Sequence, residues 1–486
     1  MGSAAFIRFS SRTVGAALLL VGFSASLALN LPGHLEYDSV VQLLEGRTGA
    51  YSNWHPPIMA WMLGVGDAIV PGASLFVVFD TTLAYAALLS LFWLTPRPSW
   101  TAVAATAVAL CLPQLLLFQG IVWKDILFAD ACLAGFVCMA HAAARWERRP
   151  VRLTLLAASA LLLALAALTR QNGLLIIPCA AGAVAAVSWR CDAQTARAAR
   201  AVLCAAGFAG ACAIVGLIGN AALQGRVVAP RAQAEMTAKA QVYDIVGMLK
   251  ARPGLPLDLL SVHAPQLAGL IRSGGPQRYS PATIDPLDDW SPLGQAVAKS
   301  EAAVGDQWLA LVVHHPLDYL AVRARVFAWL ALSQHPSECA LYTVGVDGPA
   351  PQMAALGLKP RMNRRDEWLD DYAGRFVGIG FLHPAFALIA AASAVVMVRR
   401  KRPADLVMIG LLVATALYVA SFFIISIACE YRYLYLVDLA SIAAVIYVFA
   451  SSRDVVPPSA LRGSGVTVRS SSCNSRRSRP TATTAR

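Results

Sequence analysis

The 486-residue chain is 57% hydrophobic and 14% charged, with a mean hydropathy of +0.58; soluble domains carry nearer a quarter charged residues. Those values exclude a chain that faces water over most of its length. The net charge of +12 is spread through short blocks between apolar runs, without the interleaved aromatics that stack bases. It therefore reads as a topology signal, and nucleic acid is not an expected partner.

Ten apolar runs are long enough to cross a hydrocarbon layer of roughly 30 Å. They are residues 14–29, 74–94, 101–118, 126–143, 153–168, 174–188, 201–222, 376–398, 406–427 and 434–450. In lipid each must be helical, because its backbone groups have no water to bond. The expected fold class is an all-α polytopic membrane protein. Ser24, Ala25 and Ser26 give the first run the look of a signal peptide, but an uncleaved anchor fits better with the motifs that follow it. Residues 58–70 are apolar but short, and read as a re-entrant or interfacial helix in the first outer loop.

Charge orients these spans. Arg8 and Arg12, Arg145 to Arg152, Arg190 to Arg200, Arg399 to Arg402 and the tail from Arg453 all fall on one side if residues 58–70 do not cross. By the positive-inside rule that side is cytoplasmic and holds both termini. The chain divides into an N-terminal membrane module (1–222), a large extracytoplasmic insert (223–375), C-terminal spans (376–450) and a disordered basic cytoplasmic tail (451–486). Within the insert, 234–250 and 296–332 look helical, the second amphipathic and suited to a membrane surface.

The outer turns are short and hold an unusual inventory. Glu36-Tyr37-Asp38 and Trp54-His55-Pro56 lie in the first, Trp123-Lys124-Asp125 in the second, Arg170-Gln171-Asn172-Gly173 in the third and Glu430-Tyr431-Arg432-Tyr433 in the last. Charges beside the bilayer are costly unless paired or functional. Lys124, Arg170 and Arg432 suit a phosphate, held by charge-assisted hydrogen bonds. Asp38 reads either as a helix cap or as a base for an attacking hydroxyl. Asp125, Glu430, Glu36, His55 and Tyr431 complete the candidate binding set. Cys339 and Cys429 are both placed outside, where an oxidising compartment would let them pair.

In order, spacing and topology these motifs resemble the GT-C superfamily of membrane glycosyltransferases, particularly the bacterial relatives of the protein mannosyltransferase and lipid A aminoarabinose transferase group. Where several members have an adjacent acidic pair, Tyr37 here separates Glu36 from Asp38. The resemblance implies inverting transfer of a sugar from a polyprenyl-phosphate donor to a cell-envelope glycan, lipid or protein acceptor outside the cytoplasm. It places Asp38 as the acid of the first loop and Lys124, Arg170 and Arg432 as the phosphate cations. Metal use varies across the superfamily, so a divalent cation is compatible but no metal ligand is assigned. A bacterial plasma membrane is the expected location. The alternative is a transporter or flippase of lipid-linked sugars or polysaccharide, with the same cations as a headgroup gate.

Overall fold

A computed structural model describes residues 10–192, 196–332 and 335–451. Arg8 and the basic tail from residue 452 lie outside the described residues. The first part runs α1 (Ser11–Asn30), α2 (Tyr37–Thr48), α3 (Ile58–Ile69), α4 (Ser74–Leu91), α5 (Trp100–Leu110), α6 (Pro113–Leu116), α7 (Lys124–Ala144), α8 (Arg149–Thr169), α9 (Ile176–Cys191) and α10 (Arg197–Gln224). The insert holds α11 (Ala232–Ala251), α12 (Asp258–His263), α13 (Pro265–Arg278), α14 (Asp285–Asp288), α15 (Ser291–Ala298), α16 (Glu301–His314), α17 (Pro316–Leu332), α18 (Ala350–Leu356) and α19 (Arg364–Gly374). Three helices close the chain: α20 (His383–Arg400), α21 (Pro403–Ile425) and α22 (Tyr435–Ala450). Two short parallel strands, β1 (Tyr51–Ser52) and β2 (Val227–Ala229), tie the first loop to the start of the insert and form the one sheet among the described residues.

Nine helical segments among the described residues are long and apolar enough to cross a membrane, or ten if the bent pair α5–α6 is one span. The chain is a multi-pass membrane protein. The expected continuous span over 101–118 is broken, with a 77° bend between Trp100–Leu110 and Pro113–Gly120. Pro113 has no N–H to continue the ladder and pushes Leu112 into an extended conformation (ψ 143°). Irregular backbone at membrane depth needs partners from protein. Asn30 supplies one, donating from Nδ2 to the Leu116 carbonyl at 2.7 Å. A side chain on Gly120 would collide with Asn30, since its Cβ would lie 2.1 Å from the Asn30 Cβ.

Two further expectations shift. The span expected at 376–398 starts only at His383, because Gly378 takes a left-handed φ of 89° and Pro384 opens the new helix. The run expected at 296–332 breaks at Lys299 and Ser300, between α15 and α16, and again at His315, which Pro316 forces out of helical geometry. By contrast α3 is the short apolar helix expected in the first loop. It crosses α2 backbone to backbone: a Cβ on Gly64 would sit 2.2 Å from the Gly46 carbonyl oxygen.

The ends of the bundle differ in chemistry. At one end Arg12 donates to the carbonyls of Thr95 and Pro96, Ser99 to that of Phe449, and Arg400 to Asp405. The turns 31–57, 117–123, 170–175 and 426–434 meet at the other end. The insert buries its own apolar cluster, from Ala238 through Tyr243, Leu260, Ile271 and Val304 to Val326. Its last part returns to the bundle: Leu35 N–H bonds the Gly345 carbonyl, and Tyr431 N–H that of Ala340.

A disulfide joins Cys339 to Cys429, 90 residues apart. Closing a loop of that length removes chain entropy from the unfolded state worth about 2–5 kcal/mol. Cys429→Ser and the double variant with Cys339→Ser should lower the melting temperature equally, and reductant should bring the wild type to the same value. Unchanged melting in the variants would show that the bridge carries no stability.

Candidate functional site

The site is built on α2. Gly33 turns the chain at a φ of 115°, and His34 then pairs across to the second loop: its N–H reaches the Gly120 carbonyl, and its own carbonyl accepts from Val122 N–H. The buried His34 ring is locked by Asn30 Oδ1 at 2.9 Å on Nε2 and by Gly345 N–H at 3.0 Å on Nδ1. These anchors aim the first turn of α2, with Glu36 at its N-cap and Asp38 just inside, where the helix dipole favours an anion.

Burial, and next the charge of Arg361, lower the His34 pKa from 6.5 to about 4. A depressed histidine is fully stabilising above pH 6.5, and its contribution is lost as the unfolded chain takes up protons between pH 6.5 and 4. That amounts to about 3 kcal/mol. The melting temperature should therefore fall across that window, and more steeply than in His34→Gln; equal slopes would remove His34 as the cause.

Arg432 is the hub of an acid cluster. Its guanidinium is 6% exposed, with Nη1 2.7 Å from Glu36 Oε1, Nη2 2.9 Å from Asp38 Oδ2 and Nε bonded to Glu430. Trp123 covers it at 5.0 Å and donates its indole N–H to Glu36 at 2.9 Å. Asp125, buried beneath, lies 4.0 Å from Arg432 and pairs with Arg170. Tyr433 and Phe422 flank Arg170 at 5.1 and 5.2 Å.

This environment splits the two acids of the first loop. Burial raises Glu36 above the usual carboxylate range, against the pull of Arg432. Burial also opposes ionisation of Asp38, but Arg432, His55 and Lys124 outweigh it and hold the carboxyl well below its ordinary value. Asp38 is thus the more acidic member of the pair. Burial, then Lys124, lower His55 to about 4, leaving it neutral at pH 7.

Beside the acid cluster lies a cleft of about 340 Å³ lined by Trp54, Pro56, Lys124, Thr169, Arg170, Gln171, Asn172 and Ile425. Two cations, two amides and a hydroxyl here face apolar and aromatic walls. Of the three cations expected at phosphate, Lys124 and Arg170 line the cleft, whereas Arg432 is occupied by carboxylates behind it. Tyr431 is buried away from both: its hydroxyl bonds Asp438 and Gln114, and its ring stacks on His383 at 4.0 Å. Among the described residues no cluster of three or more His, Cys, Asp or Glu is arranged to hold a metal, and the acids that converge do so on Arg432.

Sequence reasoning passed over the anchoring role of His34. It also missed Lys239 of α11, which lies 5.2 Å over the Trp54 ring and brings the insert to the cleft rim. Asn53, whose side chain bonds the Pro230 carbonyl, does the same. No local signal marks these contacts, which join segments remote in the chain.

Fold and site define a helical membrane protein with an ion-paired acid cluster and a cationic cleft at one end of its bundle. No family model matches the sequence, and no curated protein sequence matches it. Among solved structures the chain is similar to the archaeal oligosaccharyltransferase AglB from Archaeoglobus fulgidus, determined with an inhibitory peptide and a dolichol-phosphate. The identity is 13% and the TM-score 0.41, over 90% of this chain and 50% of that one. This chain thus spans about half the length of that protein. A likeness of that degree leaves the chemistry to be read from the residues.

Proposed function

We propose that the chain is a glycosyltransferase that moves a sugar from a polyprenyl-phosphate donor to an acceptor on the extracytoplasmic face of a bacterial plasma membrane. The observation that carries this reading is the pairing of a cationic cleft, formed by Lys124 and Arg170, with an ionised carboxylate, Asp38, one imidazole away. The motif resemblance supports it, and the Cys339–Cys429 disulfide supports an oxidising compartment at the site end.

In this reading the donor phosphate lies between Lys124 and Arg170, and Ile425, Trp54 and Pro56 accompany the start of its lipid chain. The acceptor hydroxyl gives its proton to Asp38 as its oxygen bonds the anomeric carbon. The bond from that carbon to the phosphate oxygen breaks, and its electron pair leaves on polyprenyl phosphate. Lys124 and Arg170 stabilise the charge developing there. The insert, which reaches Trp54 through Lys239, would contribute to the acceptor site.

The transporter reading draws on a different observation. Asp80 and Asp130, both buried, sit within the spanning helices α4 and α7, with Gln119 joining Asp130 to Tyr435. Ionisable groups at such depth often mark an ion or proton path. The two readings separate with purified protein, a panel of polyprenyl-phosphate sugars and cell-envelope extract as acceptor. Release of polyprenyl phosphate is expected for a transferase. Saturable donor binding without release under every acceptor mixture would favour transport, and no binding would overturn the phosphate cleft.

A further inference from the structure

One side chain touches both halves of the site. His55 Nδ1 lies 2.5 Å from Lys124 Nζ, and His55 Nε2 lies 3.5 Å from Asp38 Oδ1. Its side chain is only 14% exposed. Its neighbours Trp54 and Pro56 form the cleft wall, and Pro56 narrows the backbone conformations open to His55. When Lys124 carries its proton its ammonium has only donors, so Nδ1 accepts from it and the single ring proton lies on Nε2, facing Asp38. Arg432 donates to Asp38 Oδ2 at 2.9 Å, and Oδ1 faces His55 Nε2 at 3.5 Å.

The charged groups form an open ring: Arg170 to Asp125, Asp125 to Arg432, Arg432 to Asp38, and Asp38 through His55 to Lys124. Both ends of that ring, Arg170 and Lys124, line the cleft. An anion between them completes it.

We infer that His55 is a positioning residue that couples the anion cleft to Asp38, fixing the carboxylate's orientation through a ring whose other nitrogen is held by Lys124. As a statement about catalysis this rests on the transferase reading; as a statement about wiring it does not. Lys124 spends one N–H on His55 and keeps two for the cleft, so a bound phosphate is felt at Asp38 through one imidazole. His55 neither gains nor loses a proton in the transfer, because the acceptor's proton goes to Asp38. The other charged groups acting on Asp38 or His55 are Arg432, Lys124 and Glu36.

Two measurements test this. The first uses the full-length protein labelled with 15N-histidine in lipid nanodiscs, with the His55 resonances identified by their loss in His55→Gln. At pH 6, where Lys124 is protonated and the ring is not, they should report a neutral ring protonated at Nε2, and should shift in both Asp38→Asn and Lys124→Met. An imidazolium, an Nδ1-protonated ring or indifference to both variants would overturn the coupling.

The second is the pH dependence of polyprenyl-phosphate release. Removing a hydrogen bond to the charged form raises a carboxyl's pKa. In His55→Ala the acidic limb should therefore move up by about one pH unit, and kcat should fall roughly tenfold or more with donor KM little changed. His55→Gln, whose amide can stand where Nε2–H stood, should restore the limb, and added imidazole should partly restore His55→Ala. An unmoved limb with wild-type kcat in His55→Ala would overturn the coupling and leave the transferase standing. The expected resonances with no release from any donor would leave the coupling standing and remove the transferase.

Discussion

Asp38→Asn should lower the turnover of polyprenyl-phosphate release by about 10²–10⁴-fold, the range for loss of a general base, with donor affinity retained. The cleft that would hold the donor is lined by Lys124, Arg170 and their neighbours, and Asp38 is not among them. The asparagine is isosteric and can still accept from Arg432, so the cluster keeps its shape. What it loses is the charge and the capacity to take the acceptor's proton. The signature is a fall in kcat with KM unchanged, checked by steady-state release and by direct donor binding. Wild-type turnover in the asparagine variant would remove Asp38 as the base. Loss of donor binding alone would instead place Asp38 in the phosphate site.

Replacing Arg432 should be the most destabilising single change at the site. Its guanidinium satisfies Glu36, Asp38 and Glu430 together and lies 5.0 Å over the Trp123 ring. Arg432→Ala strands these carboxylates with one another in a partly dehydrated place, and breaking a buried pair this way costs about 3–5 kcal/mol. Arg432→Lys should rescue little, because one ammonium cannot present the planar fork that meets three acids. The sign of the pH response is diagnostic. Without the cation the acids prefer their protonated forms, so Arg432→Ala should regain melting temperature on acidification from pH 7 to 5 relative to wild type. Fluorescence-detected thermal melting across that range would decide it; a melting temperature close to wild type at pH 7 would show that the carboxylates do not depend on Arg432.

Much of the site was legible in the residues because charge beside a bilayer is costly. Short outer turns that nonetheless carry Glu36, Asp38, Lys124, Asp125, Arg170, Glu430 and Arg432 imply that these groups find one another. Which finds which was not legible. Charge type made Arg432 a third phosphate cation beside Lys124 and Arg170, whereas packing brings it onto Glu36 and Asp38 of α2. His55 read only as a member of the candidate binding set, and its two ring nitrogens acquire distinct partners only when the first and second loops meet. Tyr431 belongs to the same motif as Arg432, yet the tight turn before α22 sends it down to Asp438.

The fold shows the same division. Long apolar runs, helix-breaking prolines and blocks of arginine are local properties, and they set the helical class, most span positions and the short helix at Ile58–Ile69 from the sequence alone. The bend at Pro113 needed more: a proline permits a break, but the break persists because Asn30 of α1 covers the Leu116 carbonyl and Gly120 makes room for that side chain. Hydrophobicity and backbone restriction act residue by residue, and so can be read along the chain. The partner of a buried charge depends on which helix ends converge, and only the packed bundle decides that.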